Sequence, residues 1–326
     1  MIGYNKLQQK KKEEGRRNKQ NDVPYRKMKK GFLRFAGTTL ALLLSLGLTA
    51  CSSSDDNGGG SNNGGNDTPS GSADKKIVVG ATPVPHADIL DNAVKAVLAE
   101  EGWELEVVVF QDYVLPNTSL EAGELDANYF QTLGYMNQQN TDNGLHLAAV
   151  IGVHIEPMGI YSQKYTSLAD IPDGASIGVP NDPDNEARGL NLLVQKGLLN
   201  SLGAYGTDPN VTAESLTNDE EANPHGYVIT PLEAAMLPTA LPDLGAAAIN
   251  GNYALEADLP ANYPALDIEE FDSETTVSRT NFVVVKQGNE SSEKIKALIA
   301  AIQSDEVKKY IEDNYKGSVI SSFIEP

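Results

Sequence analysis

The stretch KIVVGATPVPHADILDNAVKAVLAEEGWELEVVVF, residues 76–110, decides the fold class. It opens with an apolar run, Lys76 to Ala81, that predicts a buried strand. Apolar residues then recur at helical spacing from Ile89 to Leu98, and a second apolar run, Leu105 to Phe110, predicts another strand. A strand, a helix and a strand in this order predict a parallel unit by the right-handed crossover rule.

The same alternation continues towards the C-terminus, without a repeat at a fixed spacing. Further strands are expected at 148–155, 159–162, 175–179, 246–249 and 282–285. Helices are expected at 120–123, 185–196, 233–237 and 292–302. Strands that alternate with helices predict an α/β fold with open, largely parallel sheets flanked by helices. About 250 residues of such sequence suffice for two lobes with a cleft between them.

The charge balance differs between the two ends of the chain. Residues 1–50 hold 12 of the 25 basic residues but only three of the 45 acidic ones, so residues 51–326 carry 13 basic against 42 acidic side chains. The whole chain has a net charge of −20, which excludes non-specific nucleic-acid binding. The single cysteine, Cys51, excludes a disulfide framework and any zinc site with two thiolates.

Residues 1–50 have the order of a secretory signal: a basic segment, an apolar run from Leu40 to Leu48, and small residues before Cys51. The alternative is a membrane-spanning helix, but the uncharged stretch after Arg34 has only 16 residues. Leu48-Thr49-Ala50-Cys51 resembles the bacterial lipobox, whose cysteine is lipidated with diacylglycerol and palmitate, against the alternative of a buried or free thiol. Residues 51–75 are rich in Ser, Gly, Asn and Asp, which predicts a flexible linker.

Ligands in open α/β sheets bind beyond the carboxyl ends of strands, so the segments after the predicted strands hold the candidate site residues. These segments are 82–86, 111–113, 180–188 and 250–253. Arg188 is one of only two arginines after residue 50, and with Asn185 as N-cap it would lie in the first turn of a helix. A guanidinium there suits a carboxylate, and the alternative is a structural ion pair.

Aromatic and titratable residues leave several interpretations open. Tyr113, Tyr129 and Phe130 would wall an apolar pocket or simply pack in the core. His154 and Glu156 point the same way on a strand, which would allow the start of a metal site, although no second ligand pair is close in sequence and we assign no metal. Hydrolase and phosphate-binding motifs are absent, so no enzyme activity and no cofactor are expected.

Five segments together resemble the NlpA/MetQ family, the methionine-binding lipoproteins of ABC importers. They share their order and spacing with that family and are ATPVPHADIL (81–90), VVVFQDYVLPNTSLEAGELDANYFQ (107–131), HIEPMGIYS (154–162), IGVPNDPDNEARGL (177–190) and AAAINGNYALEA (246–257). The resemblance covers about residues 76–316. It implies a two-lobed periplasmic-binding-protein fold of type II, with one lobe at about 76–165 plus 275–326 and the other at about 166–274.

The resemblance also implies a function and a set of ligand contacts. The protein would be a lipid-anchored binding protein on the extracytoplasmic side of the cell membrane that delivers methionine, or a methionyl dipeptide, to an ABC permease and its ATPase. Arg188 would bind the ligand carboxylate, and Asn250 and Asn281 would hold its amino and carboxylate groups. The thioether side chain would be enclosed by the rings of Tyr113, Tyr129 and His154.

Two features depart from the family pattern and leave alternatives open. Residues 203–230 do not align, and Arg279 stands where a neutral residue is expected. Arg279 would either make a second carboxylate contact, favouring a dipeptide or an acidic ligand, or form a surface ion pair. The rival functions are a surface lipoprotein with a non-transport, adhesive role, and a metal-binding subunit that uses His86, His154 and Glu156.

Overall fold

The computed structural model describes residues 75–203, 205–206, 211–271 and 273–326. The predicted signal peptide, the lipidation site at Cys51 and the predicted linker up to residue 74 lie outside the described residues. Within the described part of the chain, no helix is both long and apolar enough to cross a membrane. The described residues form two β-sheets with helices packed around them.

The strands of the described ranges are numbered in chain order. They are β1 Lys76–Ala81, β2 Glu104–Val109, β3 Ala127–Thr132, β4 Leu147–Ile155, β5 Gly159–Tyr161, β6 Ser176–Pro180, β7 Val228–Leu232, β8 Ala246–Ile249, β9 Asp267–Ile268, β10 Thr280–Lys286 and β11 Ile320–Ser321.

The α-helices are numbered in the same way. They are α1 Lys95–Glu100, α2 Leu115–Ala122, α3 Leu133–Asn143, α4 Pro183–Gln195, α5 Leu237–Ala240, α6 Gly251–Glu256, α7 Leu259–Asn262, α8 Ser273–Arg279, α9 Glu293–Ile302 and α10 Asp305–Tyr315. Shorter helical segments lie at Pro83–Ala87, Leu90–Val94, Leu168–Asp170, Glu214–Asn218 and Ala234–Met236.

The first sheet has six strands in the order β11-β4-β10-β3-β1-β2. Strand β1 runs parallel to both of its neighbours, β2 and β3. The apolar side chains that predict this strand also stabilise it, because Ile77, Val79 and Ala81 are fully buried in the core against the sheet. The predicted strand–helix–strand unit is therefore confirmed as the start of this sheet.

The second sheet has five strands in the order β7-β6-β8-β5-β9. All four residues of β8 are fully buried, and three of them are alanine. The small side chains let α4 pack close to the sheet, because a Cβ atom added to Gly189 of α4 would lie 3.4 Å from the Cβ atom of Ala248. This close packing brings the first turns of α4 to the edge where β8 ends.

The predicted fold class is confirmed, but the expectation of largely parallel sheets needs correction because both sheets are mixed. In the first sheet β10 lies between β3 and β4 and runs antiparallel to both, and in the second β5 runs antiparallel to β8 and β9. The chain passes from one sheet to the other before β5 and again before β10; β10 then inserts between the earlier strands β3 and β4, and the later strands β8 and β9 insert on either side of β5. Local periodicity does not record such insertions.

The boundaries of the predicted lobes remain a prediction. The second sheet already includes β5, Gly159–Tyr161, although the predicted first lobe extends to about residue 165. The return to the first sheet, with β10 beginning at Thr280, follows the predicted boundary at about 275. Glu156 and its neighbours therefore lie on the first connection between the two sheets.

Candidate functional site

A cavity lies where the ends of strands from both sheets meet. The residues on the side of the first sheet are Tyr113, Phe130, Gln131, Thr132, Tyr135 and Asn281. Those from the connection and the second sheet are Glu156, Asn185, Arg188, Asn250, Gly251 and Asn252. Four of the six predicted ligand-binding residues line this cavity: Tyr113, Arg188, Asn250 and Asn281.

Arg188 is placed by the N-terminal part of α4. Asp182, and not Asn185 as predicted, is the N-cap: its Oδ1 atom accepts hydrogen bonds from the Asn185 backbone and side-chain amides, both at 3.0 Å. Pro183 follows at the first helical position, where a missing N–H costs nothing. The earlier start of the helix places Arg188 in its second turn, facing the cavity.

Arg188 is buried, with 5% of its side chain exposed, and forms an ion pair with Glu269. Its Nε atom donates to the two Glu269 carboxylate oxygens at 3.2 and 3.0 Å, and Nη2 donates to Glu269 Oε2 at 2.6 Å. Nη2 also donates to the backbone oxygen of Glu156 at 2.8 Å. Nη1 makes no hydrogen bond to any residue in the described ranges. Arg188 therefore forms a structural ion pair and also lines the cavity, so both features expected as alternatives are present.

Two asparagines of the cavity wall each have one buried polar atom without a partner among the described residues. Asn250 donates from Nδ2 to Asn185 Oδ1 at 2.7 Å, which leaves its Oδ1 unpaired. Asn252 accepts a hydrogen bond from the Tyr113 hydroxyl at 2.6 Å, which leaves its Nδ2 unpaired. Buried polar atoms normally have partners. These two therefore offer one acceptor and one donor to a polar ligand.

Aromatic rings form the wall on the side of the first sheet. The Tyr113 ring lies 5.6 Å from the rings of Phe130 and Tyr135 and 4.9 Å from that of Tyr253. Such a cluster presents an apolar surface to the cavity. Phe130 and Tyr135 belong to it beside the predicted Tyr113.

Tyr129 and His154 are fully buried and do not line the cavity. They lie behind its wall, where the Tyr129 hydroxyl forms a short hydrogen bond with His154 Nδ1. The Nε2 atom of His154 is 2.7 Å from Glu156 Oε1, and Glu156 does line the cavity. The two predicted rings therefore reach the site through Glu156.

His86 joins this group from the short helical segment Pro83–Ala87 that follows β1. Its Nε2 atom lies 3.3 Å from Glu156 Oε1 and 3.2 Å from Asn281 Oδ1, and its Nδ1 atom lies 2.8 Å from the Thr82 hydroxyl. Burial lowers the pKa of His86 to about 4 and that of His154 to about 3. Burial raises the pKa of Glu156 from 4.5 to about 7. Both imidazoles are therefore neutral at pH 7.

The same three side chains have the composition of a metal site. One donor atom from each of His86, His154 and Glu156 lies within 4.8 Å of the others, and all three residues are buried. Every imidazole nitrogen has a hydrogen-bond partner in the protein, however, so neither ring leaves a nitrogen unpaired for an ion. The arrangement favours a hydrogen-bonded support for Glu156 over a metal centre.

Arg279 lies next to this site without lining the cavity. Its Nε atom is 3.3 Å from Glu269 Oε1, so the two arginines after residue 50 share one carboxylate. Burial and the charge of Arg188 lower the pKa of Arg279. The ion pair expected as one alternative is present, but it is partly buried and lies beside Arg188.

Several cavity residues were not expected from the sequence, among them Gln131 and Thr132 at the end of β3. This strand is fully buried although half of its residues are polar, and three amide side chains satisfy one another there. Gln131 exchanges hydrogen bonds with Asn117 at 2.9 and 2.6 Å and donates to Asn128 at 2.9 Å. A run of buried amides does not follow the apolar pattern that marks a strand, so β3 escaped prediction.

Comparison with known proteins identifies the relatives of this chain. The family model described as NlpA lipoprotein matches residues 77–323. The methionine-binding lipoprotein MetQ of Bacillus subtilis is 37% identical over 255 residues, which cover 76% of this chain and 89% of the relative.

Two solved structures are also similar over nearly their whole length. A nutrient-binding protein from Burkholderia cenocepacia bound to methionine is 37% identical, with a TM-score of 0.68, over 76% of this chain and all of that one. A periplasmic substrate-binding protein of an ABC transporter from Coxiella burnetii is 32% identical, with a TM-score of 0.67, over the same shares. The match over most of the chain and the identity above 30% confirm the resemblance seen in the sequence: the chain belongs to the NlpA lipoprotein family.

Proposed function

We propose that the protein is the methionine-binding subunit of an ABC importer. The observation that carries this proposal is the cavity itself, which combines a charged and amide-lined side with an aromatic side. Free methionine has the matching division: a carboxylate and an ammonium group at one end, and a flexible apolar thioether at the other. The similarity to a relative named for methionine binding and to a structure bound to methionine supports the same ligand.

The charged side fits the carboxylate end of the ligand. Arg188 lies in the wall and its Nη1 group has no hydrogen-bond partner among the described residues, and the unpaired Nδ2 atom of Asn252 is a second donor. Asn250 and Asn281 complete this side, as the family resemblance implies. A hydrogen bond to a charged group contributes about 1.5–3 kcal/mol. Three or four of them, with burial of the side chain, reach the roughly 8–10 kcal/mol of micromolar or tighter binding after ordering costs.

The aromatic side fits the thioether. A methionine sulfur makes favourable contacts with ring edges at about 5 Å, and the rings of Tyr113, Phe130 and Tyr135 supply such edges. Tyr129 and His154 act here from behind the wall, by fixing Glu156.

The proposed site of action is the outer face of the cell membrane, where lipidation at Cys51 would hold the protein. The linker of residues 52–75 would let the folded part reach the permease, which receives the ligand while its ATPase supplies the energy. The protein itself carries out no reaction on the ligand. The ABC transporter context of a similar solved structure supports this assignment.

Native mass spectrometry of the purified protein, followed by denaturation and identification of any released small molecule, tests the ligand. We expect methionine. Release of a methionyl dipeptide would keep the importer but change its cargo. Absence of any ligand, with no change in the thermal unfolding temperature on adding methionine or glycyl-methionine, would contradict the proposal and favour an adhesive lipoprotein.

A further inference from the structure

The two oxygens of the Glu156 carboxylate have different surroundings. Oε1 is 2.7 Å from Nε2 of His154 and 3.3 Å from Nε2 of His86. Oε2 is buried and has no hydrogen-bond partner among the described residues. An unpaired buried carboxylate oxygen is costly, because it has lost its hydration without replacement. Since Glu156 lines the cavity, its Oε2 atom is available to a ligand.

The hydrogen bonds behind Glu156 determine which groups donate. The Glu156 carboxylate can only accept, so neutral His154 carries its proton on Nε2 and donates it to Oε1. Its Nδ1 atom then has no proton and accepts from the Tyr129 hydroxyl. Tyr129 and His154 thereby fix the carboxylate in one orientation, with Oε1 inward.

The hydrogen-bond partners of His86 determine its tautomer in the same way. Asn281 Oδ1 can only accept, so neutral His86 carries its proton on Nε2 and donates it to this oxygen at 3.2 Å, while Nδ1 accepts from the Thr82 hydroxyl at 2.8 Å. Nε2 of His86 also lies 3.3 Å from Glu156 Oε1, so one neutral imidazole, His154, donates to the carboxylate and the other, His86, lies beside it. Neither supplies a positive charge to balance it.

The nearest arginine balances Glu156 only in part. Arg188 forms its ion pair with Glu269, and although its charge lowers the pKa of Glu156, burial outweighs this effect. The cavity wall therefore holds a guanidinium group and a carboxylate that form no ion pair with each other, and Arg188 contacts Glu156 through a 2.8 Å hydrogen bond to its backbone oxygen. An α-amino acid carries its own carboxylate and ammonium on a single carbon atom, which matches this pair.

Gly251 leaves the space in front of Glu156. A Cβ atom at Gly251 would lie 3.0 Å from Glu156 Oε2 and 2.7 Å from Glu156 Cβ. Both residues line the cavity. The missing side chain therefore keeps the position next to the buried, unpaired oxygen free of other side-chain atoms.

We propose that Glu156 is the counter-ion for the ammonium group of the bound ligand, and that Tyr129, His154 and His86 position it. This inference rests on the proposed function and extends it by naming the ligand class: molecules with a free amino group next to the carboxylate. Acylated amino acids and carboxylic acids without the amino group are then excluded.

Isothermal titration calorimetry with two ligands tests the inference. The ligands are methionine and 4-(methylthio)butanoate, which is methionine without its amino group. The proteins are wild type, Glu156→Gln, and the control Glu104→Gln, whose side chain is exposed on β2. Wild type and control should bind methionine at least about tenfold more tightly than the analogue. Glu156→Gln should lose most of this preference by weakening only methionine binding.

The possible results separate the inference from the proposed function. Wild type that binds neither methionine nor glycyl-methionine overturns both. Wild type that binds methionine and the analogue equally well overturns the inference alone, whether or not the variant folds. An equal loss for both ligands in a folded Glu156→Gln protein assigns Glu156 a structural role and also overturns it.

A metal titration removes the remaining alternative. Zinc ions alone, added at neutral pH, should not bind stoichiometrically to the wild-type protein. Stoichiometric zinc binding that Glu156→Gln abolishes, with the preference for methionine over the analogue unchanged, would overturn the counter-ion role in favour of a metal site.

Discussion

The two walls of the cavity differ in the chemistry that they present. The wall from the first sheet consists of aromatic rings and neutral polar groups, such as Tyr113, Phe130 and Gln131, and contributes no charged side chain. The opposite wall contains both charged residues of the lining, Arg188 and Glu156. One wall can therefore distinguish ligands by their side chains, and the other by the groups that all amino acids share.

The two walls are connected directly across the cavity. The Tyr113 hydroxyl donates to Asn252 at 2.6 Å, and the Thr132 hydroxyl lies 3.5 Å from an Asp184 carboxylate oxygen. Substitutions in either wall test whether the division of roles holds, and they are ordered here by expected effect.

Arg188→Ala should have the largest effect. We expect methionine to bind at least about tenfold more weakly, because a charge-assisted contact is lost. The free energy of unfolding should also fall by about 3–5 kcal/mol, because Glu269 loses its main partner in a buried site. Calorimetric titration and denaturant unfolding measure the two effects. Unchanged affinity in a folded variant would remove Arg188 from the site.

Lowering the pH should weaken methionine binding through Glu156. The pKa of this carboxyl is raised to about 7 by burial, and a bound ammonium group would lower it. The complex then holds fewer protons than the free protein, so affinity increases with pH up to about 7 and levels off above it. Below pH 7 the affinity should decrease by at most about tenfold per pH unit.

The neighbours of Glu156 do not titrate in this range. His86 and His154 have pKa values lowered to about 4 and about 3, and burial raises the pKa of Tyr113 and Tyr129 well above 10. Affinities measured between pH 5 and 8 check the prediction, with Glu156→Gln as control. A slope that persists in this variant would assign the titration to another group.

Tyr113→Ala should reduce selectivity for the ligand side chain. Loss of the ring removes contacts worth about 0.5–1.5 kcal/mol, so methionine should bind up to about tenfold more weakly, while the much weaker binding of alanine changes little. Tyr113→Phe, which removes only the hydrogen bond to Asn252, separates the ring from the hydroxyl. An equal loss for methionine and alanine would contradict the division between the walls.

Arg279→Ala should have the smallest effect. Glu269 keeps its pair with Arg188, and the repulsion between the guanidinium groups of Arg188 and Arg279 is removed. We expect methionine affinity to change by less than about threefold. Titration with methionine and with glycyl-methionine checks this, and a loss confined to the dipeptide would show that Arg279 contacts the longer ligand.

The hydrophobic pattern of the sequence correctly predicted strands that consist of one short apolar run. The bounds of β1 and β8 agree with the predicted strands, because each is a short, mostly apolar run; β8 is fully buried and β1 is buried at four of its six residues. The expectation that ligands bind beyond the carboxyl ends of strands also identified three residues that line one cavity: Tyr113, Arg188 and Asn250. This expectation needs only the direction of the chain, which the sequence gives.

The unpredicted partners of the site residues depend on contacts between distant parts of the chain. Glu269 pairs with Arg188 only after the chain has formed the second sheet, and His86 meets Asn281 only when β10 has returned to the first. The sequence presents His154 and Glu156 as neighbours, but the neutral imidazole of His154 and the raised pKa of Glu156 result from burial by those later segments. The spacing of residues in the sequence does not show which side chains lose their contact with water when distant segments pack over them.

The absence of a side chain at Gly251 has a consequence for how this family can vary. A methyl group there would lie 2.7 Å from Glu156 Cβ and 3.1 Å from the Pro157 backbone oxygen, so alanine at 251 would push the connection at 156–157 out of place. Every residue except glycine has a Cβ atom, so replacing Glu156 would not relieve this contact. Homologues in which the connection follows the same course should therefore keep glycine at 251, whichever side chain they have at 156, although 94 residues separate the two positions in the chain.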